Sequence, residues 1–235
     1  MSQVLDGTGP ARQEAVRLAA EALGRGELVV LPTDTVYGVA ADAFSAEGTR
    51  AIFEAKQRGR NLPLPVLVRS PKQVTGLVTT VPEVVERLMA AYWPGPLTIV
   101  VRADPNLTWD LGDNDGTVAL RMPLDELCLD VIRTVGPLAV TSANLSGQPP
   151  ATDVATAQRG LGELVAVYLD DGPRRTVRPS TIVDVTRSEP AVLREGALAT
   201  DEVTAVANGD LGPGDVAPVV RADVPGDDLD DAGPA

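Results

Sequence analysis

Short segments that are apolar along almost their whole length most constrain the fold of this chain. Leu28–Leu31 has no polar residue, and Leu97–Arg102 and Leu138–Thr141 have few. A strand without a polar face must be covered on both sides, as in sheets that carry helices on each face. Helical patterns at residues 11–24 and Glu47–Lys56 alternate with such strands. This alternation predicts an α/β fold: an open mixed β-sheet flanked by helices.

Weaker patterns complete the predicted sheet and its covering helices. Asp113–Gly116 is interpreted as a turn and not as a calcium loop, because Met122 stands where such a loop has glutamate. The other helices are predicted at Pro82–Tyr92 and Leu124–Val135, and the other strands at Leu64–Val68, Thr117–Arg121, Ala166–Leu169, Thr181–Val185 and Ala191–Arg194.

Two residue types that often carry enzyme chemistry are absent or nearly so. The 235 residues include no histidine and one cysteine, Cys128. This composition excludes a Ser-His-Asp triad, histidine-ligated metals, an intrachain disulfide and a cysteine zinc cluster. Cys128 stands between two leucines in a helical pattern, which predicts a buried core thiol.

The net charge of −13 is concentrated at the C-terminal end of the chain. Residues 201–235 hold nine acidic residues and one basic residue, and they are rich in Gly, Pro and Asp. Such a stretch has little to bury, so it is predicted to be disordered. We expect a folded domain at residues 1–205 and an acidic tail at 206–235. An acidic protein is a poor candidate for tight nonspecific binding of nucleic acid.

The sequence shows no targeting or membrane segment. Residues 1–7 lack the basic and apolar regions of a signal peptide. No segment approaches the roughly 20 apolar residues that cross a bilayer. We therefore expect a cytoplasmic protein with no membrane partner.

Polar side chains follow several predicted strands at the points where the strands end. Thr33–Tyr37 comes after Leu31, and Ser142 and Asn144 come after Val140. Such clusters line a pocket in some proteins. The same residue types are also the commonest turn residues, so each cluster taken alone is compatible with an ordinary turn.

Cationic side chains form further candidate features. Lys56, Arg58 and Arg60 lie within five residues and suit a phosphate or a carboxylate, although a solvated basic turn is the alternative. Thr117 and Arg121 point to the same face of one predicted strand. Arg121 is therefore either a pocket clamp or a surface charge.

Seven segments, taken in order, resemble the YrdC/TsaC family of threonylcarbamoyl-AMP synthases. Each is weak alone, but their common order is specific and covers residues of about 13 to 198. The resemblance implies a YrdC-like catalytic domain whose twisted sheet surrounds a large electropositive cavity. The segments are Leu31–Ala43, Lys56–Val68, Trp93–Thr98, Val118–Pro123, Thr141–Gly147, Ser180–Val185 and Arg194–Gly196.

The resemblance also implies a reaction and its partners. L-threonine, bicarbonate and ATP would give threonylcarbamoyl-AMP and pyrophosphate. The product would pass to a separate tRNA threonylcarbamoyl transferase complex, and a transient contact with tRNA is compatible with that role. Mg²⁺ would arrive with ATP, so no dedicated metal ligands are expected.

Site residues follow from the resemblance position by position. Lys56 and Arg58 are the implied catalytic cations. Leu62 and Leu67 stand where many members have asparagine and histidine, so those contacts are not carried over, although Asn61 lies one position away. The implied threonine-binding residues are Thr35, Arg121, Ser142 and Ser180; the implied ATP-binding residues are Lys56, Arg58, Thr117, Asn144, Thr152 and Arg194.

Two other functions remain open at this point, because a fold does not determine a function. One is a non-catalytic RNA-binding or ribosome-associated protein with the same fold, against which the acidic charge argues. The other is a carbamoyl-transferring or adenylating enzyme with a different acceptor, against which the residues at the threonine positions argue.

Overall fold

Ten strands and seven α-helices make up the part of the chain that the computed structural model describes, residues 2–174 and 178–219. The strands are β1 (Gln3–Asp6), β2 (Val29–Leu31), β3 (Gly38–Asp42), β4 (Val66–Leu67), β5 (Leu97–Arg102), β6 (Thr117–Arg121), β7 (Leu138–Ser142), β8 (Val167–Asp170), β9 (Thr181–Asp184) and β10 (Ala191–Arg194). The helices are α1 (Arg12–Gly24), α2 (Ala46–Lys56), α3 (Pro71–Val74), α4 (Glu83–Tyr92), α5 (Glu126–Val135), α6 (Val154–Leu161) and α7 (Thr200–Asn208). None of the helices in these residues is long and apolar enough to cross a membrane.

These strands form one mixed sheet in the order β1-β8-β2-β3-β7-β4-β6-β5-β9-β10. The pairs β1–β8, β2–β8, β4–β6 and β5–β9 are parallel. The remaining neighbours are antiparallel. The prediction of an open mixed sheet is confirmed.

Helices cover both faces of the sheet because its central strands are apolar on both. Val29 and Leu31 of β2 pack with buried residues of α1 and α5. Leu28 and Val30 belong to the opposite core, which includes residues of α2, α4, α6 and α7. Cys128 of α5 is buried as predicted, and burial raises the pKa of its thiol.

Several elements were not predicted, and β3 is the most central of them. It lies between β2 and β7, and its sequence is Gly-Val-Ala-Ala-Asp. Small residues have weak strand preference. At Gly38 a side chain would not fit without a shift, because its Cβ would lie 2.5 Å from Cγ1 of Val140 in β7. Strand β1, helix α6 and helix α7 were likewise not predicted.

The C-terminal helix corrects the predicted extent of the disordered tail. Disorder was predicted from residue 201, and this is wrong for residues 201–208, which belong to α7. Val203, Val206 and Ala207 are buried, and Arg87 of α4 donates a 2.9 Å hydrogen bond to the carbonyl of Ala207. The expected boundary at residue 205 therefore falls inside a helix. The acidic stretch beyond residue 219 lies outside the described residues.

Two truncations test the packing of α7. A chain ending after residue 205 loses the buried Val206 and Ala207, which should lower the free energy of unfolding by roughly 2–3 kcal/mol. A chain ending after residue 219 keeps every buried residue named above and should unfold like the full chain. Thermal unfolding of the three proteins provides the comparison, and equal midpoints would contradict the packing.

Candidate functional site

A cavity of about 540 Å³ opens on the sheet face formed by β5, β6 and β9. Thr98 and Val100 contribute from β5, and Ile182 contributes from β9. Thr117 and Arg121 of β6 both line the cavity, so the prediction that they share a face is confirmed. Alternation along each strand sends every second side chain to this side.

Seven of the ten predicted site residues line this single cavity. A smaller cavity of about 360 Å³, beside the N-terminal strand, has none of the ten in its lining. Lys56, Asn144 and Thr152 are outside both linings. The seven are Thr35, Arg58, Thr117, Arg121, Ser142, Ser180 and Arg194.

Arg121 is buried and held on three sides. Its Nε donates to the carbonyl of Gly95 at 3.0 Å, and its Nη1 donates to Oγ1 of Thr35 at 3.2 Å. Its Nη2 lies 2.7 Å from Oδ1 of Asp34, an oxygen that also accepts from the backbone N–H of Leu124 at 2.9 Å. Arg121 is therefore not a surface charge. A guanidinium fixed in this way presents its remaining N–H groups in a set direction.

Three arginines face the cavity, and none of the described lining residues is acidic. Loss of hydration lowers the pKa of Arg58, and the charge of Arg194 lowers it further. Loss of hydration also lowers the pKa of Arg194, with a smaller effect from Arg121. Positive charges that disfavour one another in this way favour the binding of an anion between them.

Lys56 lies beneath the cavity wall. Its Nζ donates to the backbone carbonyls of Ser142 and Asn144, and only 1% of the residue is exposed. Burial lowers the pKa of Lys56 to about 8, and Arg58 contributes to the shift. The neutral amine still has two N–H groups, which suffice for both carbonyls. This geometry favours a positioning role for Lys56, because the ammonium supports the segment that carries Ser142 into the cavity.

Asn144 and Thr152 belong to the backbone framework around the cavity. Nδ2 of Asn144 donates to the carbonyls of Leu145 at 2.8 Å and Gln148 at 2.7 Å. The carbonyl of Thr152 accepts from the backbone N–H of Arg174 at 2.7 Å. The turn interpretation thus suits the residues after Ser142, whereas Ser142 itself belongs to β7 and to the cavity.

Leucines form part of the cavity wall. Leu62 and Leu193 are unusually exposed for large apolar residues, at 52% and 58%, and both line the cavity. Leu67 also lines it but is nearly buried, at 4%. Many members of the family that the sequence resembles have asparagine and histidine at positions 62 and 67. In this chain the two leucines make that part of the cavity wall apolar.

Two residues to which no role was assigned from the sequence also contribute. Thr98 lines the cavity with its Oγ1 2.8 Å from Oγ of Ser180. In the sequence, Thr98 alternates with Val100 in the predicted strand Leu97–Arg102, and this alternation indicates that both side chains lie on the same face of the sheet. The sequence shows Asp34 only as part of a polar cluster, because its partner Arg121 is far away in the chain.

Comparison with known proteins identifies the family. The sequence profile of the Sua5/YciO/YrdC family, described as "Telomere recombination", matches residues 21–196. The chain belongs to this family. A Mycobacterium tuberculosis protein provisionally named threonylcarbamoyl-AMP synthase is 47% identical over 88% of this chain and 95% of its own length. The Bacillus subtilis threonylcarbamoyl-AMP synthase is 36% identical over 80% of this chain and 55% of its own.

Solved structures of Sua5/YciO/YrdC proteins share the fold. Pyrococcus abyssi Sua5 complexed with L-threonine has a TM-score of 0.83 and 33% identity, over 87% of this chain and 61% of that one. This chain therefore spans less than two thirds of that longer protein. Escherichia coli YciO, at 23% identity and a TM-score of 0.77, shows likeness of fold alone. The predicted family and the YrdC-like fold class are confirmed.

The buried position of Lys56 predicts a specific dependence of stability on pH. Its pKa of about 8 in the folded state lies below the ordinary value of 10.5. Between these values the unfolded chain binds more protons, so the free energy of unfolding rises with pH. Relative to Lys56→Met, the wild type should gain up to roughly 3 kcal/mol from pH 8 to pH 10.5.

Chemical denaturation across that pH range measures the difference. Lys72→Met is the matched control, because Lys72 is exposed on α3 and its loss should leave the pH profile unchanged. A flat difference between wild type and Lys56→Met would contradict the lowered pKa.

Proposed function

We propose that this protein is a threonylcarbamoyl-AMP synthase, which converts L-threonine, bicarbonate and ATP to threonylcarbamoyl-AMP and pyrophosphate. The convergence of seven expected substrate-binding residues in one cavity carries the proposal. Support also comes from 47% identity to the Mycobacterium tuberculosis relative over most of both chains. The catalytic domain corresponds to residues 1–205 together with the rest of α7.

L-threonine is assigned to the part of the cavity around Arg121. Its carboxylate suits the guanidinium of Arg121, a cation held in a fixed position in the cavity lining. Asp34 already balances the charge of Arg121, so this arginine supplies direction more than net charge. Thr35, Ser142 and Ser180 line the same cavity, and their hydroxyls are assigned to the polar groups of threonine.

ATP is assigned to the part of the cavity between Arg58 and Arg194. Their charges are not balanced by any acidic residue of the described lining, so phosphates suit them. Leu62 and Leu193 adjoin these arginines and offer apolar surface for an aromatic base. Of the other residues expected to bind ATP, Thr117 is assigned a direct contact. Lys56, Asn144 and Thr152 are assigned an indirect role, through the backbone segments that they hold.

The chemistry suits a protein without histidine. The amine of threonine and bicarbonate give a carbamate and water. A carbamate oxygen then bonds to the α-phosphorus of ATP, and the bond from that phosphorus to pyrophosphate breaks. The main obstacles are charge repulsion and orientation, which fixed arginines reduce. Because the described lining has no carboxylate, we expect Mg²⁺ to arrive with ATP, held by phosphate oxygens and water.

The product is a reactive mixed anhydride, so a further enzyme must accept it. We assign that role to a separate tRNA threonylcarbamoyl transferase. The small-molecule partners of the protein itself are bicarbonate and L-threonine. Modification of tRNA would place the protein in the cytoplasm.

Release of pyrophosphate tests the proposed function directly. With ATP and bicarbonate, the wild-type protein should release pyrophosphate only when L-threonine is added, and L-serine or L-valine should support little release. No threonine-dependent release, together with a mobility shift of RNA, would favour the non-catalytic RNA-binding alternative. Equal release with another amino acid would favour a different acceptor.

Arg58→Ala should reduce threonine-dependent pyrophosphate release by about 100-fold or more, since it removes a charge aimed at the phosphates. Its thermal unfolding midpoint should change little, because Arg58 is only half-buried. Arg17→Ala is the control: Arg17 is exposed on α1 and pairs with Glu14 and Glu21. Full activity in Arg58→Ala would contradict the assigned ATP site.

A further inference from the structure

The segment Trp93–Thr98 contacts the chain directly after two of the four assigned threonine-binding residues, Arg121 and Ser180. The backbone N–H of Gly95 donates to the carbonyl of Met122 at 2.8 Å, directly after Arg121. The carbonyl of Pro96 accepts from the N–H of Thr181 at 2.9 Å, directly after Ser180. One short segment therefore sets the spacing between the end of β6 and the start of β9.

The segment is itself held firmly. Nε1 of Trp93 donates to the carbonyl of Leu97 at 2.8 Å, which closes the turn on itself. A Cβ on Gly95 would lie 2.5 Å from the carbonyl oxygen of Tyr92 and 2.8 Å from Cγ1 of Val219. Only glycine fits there without a shift, and the carbonyl of this glycine receives Nε of Arg121 at 3.0 Å.

The hydroxyl of Thr98 forms a hydrogen bond with the hydroxyl of Ser180 and so restricts its orientation. The two hydroxyl oxygens are 2.8 Å apart, and Nη2 of Arg194 donates to the same Ser180 oxygen at 3.2 Å. Among the described hydrogen bonds, Ser180 is the one partner of the Thr98 hydroxyl. Either hydroxyl can be the donor of this pair, and both residues line the cavity, so each of the two arrangements leaves one hydroxyl proton for the cavity.

In one of these arrangements Thr98 donates to Ser180. Ser180 then accepts from both Thr98 and Arg194, which uses both lone pairs of its oxygen. Its own proton is left to point into the cavity, where a carboxylate oxygen of a substrate can accept it.

We propose that the Trp93–Thr98 segment is a positioning element of the threonine site, in which the Gly95 carbonyl orients Arg121 and the Thr98 hydroxyl orients the Ser180 proton toward the substrate. The inference rests on the proposed function and assigns positioning roles to Gly95 and Thr98.

The test compares Thr98→Val, Thr98→Ser and Thr49→Val with the wild type. Thr98→Val keeps the shape but removes the donor, so the KM for L-threonine should rise about tenfold, while the KM for ATP should change less than about twofold. Thr98→Ser restores a hydroxyl and should restore the KM. Thr49 is a fully buried threonine of α2 whose hydroxyl bonds to the carbonyl of Ser45, so Thr49→Val should affect neither KM.

Calorimetric binding of L-threonine and thermal unfolding accompany the kinetics. An unchanged KM and affinity for L-threonine in Thr98→Val, with the wild type active, would overturn the inference and leave the proposed function standing. Equal rises in both KM values, not reversed by Thr98→Ser, would show a merely structural role and would also overturn it. A wild type without threonine-dependent release would instead refute the proposed function.

Discussion

The rest of the site depends on the buried ion pair between Asp34 and Arg121. Either charge alone would cost several kcal/mol to remove from water, so each requires the other. The pair joins the loop before β3 to the end of β6, two strands that are not neighbours in the sheet. Through the N–H of Leu124 it also fixes the chain that enters α5. The cavity wall, the sheet and a covering helix thus share one electrostatic anchor.

The balance of charge in the cavity explains how an acidic protein can handle anionic substrates. The net charge of −13 describes the whole chain, whereas the described cavity lining holds three arginines and no acidic residue. Close charges in a poorly hydrated space interact more strongly than distant charges screened by salt. With Arg121 neutralised by Asp34, the unbalanced charge is left to Arg58 and Arg194. Arg121 therefore offers a directional contact for a carboxylate, whereas Arg58 and Arg194 attract phosphates through their net charge.

Several residues around the cavity hold other parts of the site in place. Lys56 and Asn144 hold the backbone around Ser142, and Thr98 and Gly95 hold the side chains of Ser180 and Arg121. Such supporting contacts decide whether a binding group is held within the narrow geometry that catalysis needs.

The sequence by itself determined the mixed sheet, the buried Cys128, the shared face of Thr117 and Arg121, and the family, because apolar patterns and ordered motifs are local properties. It did not predict β3, where Gly38 is explained by the close approach of Val140, or α7, whose apolar residues stand in an acidic stretch. The partner of Asp34 and the burial of Lys56 were decided by tertiary structure alone. Both depend on which distant segments meet, and no local pattern in the sequence contains that information.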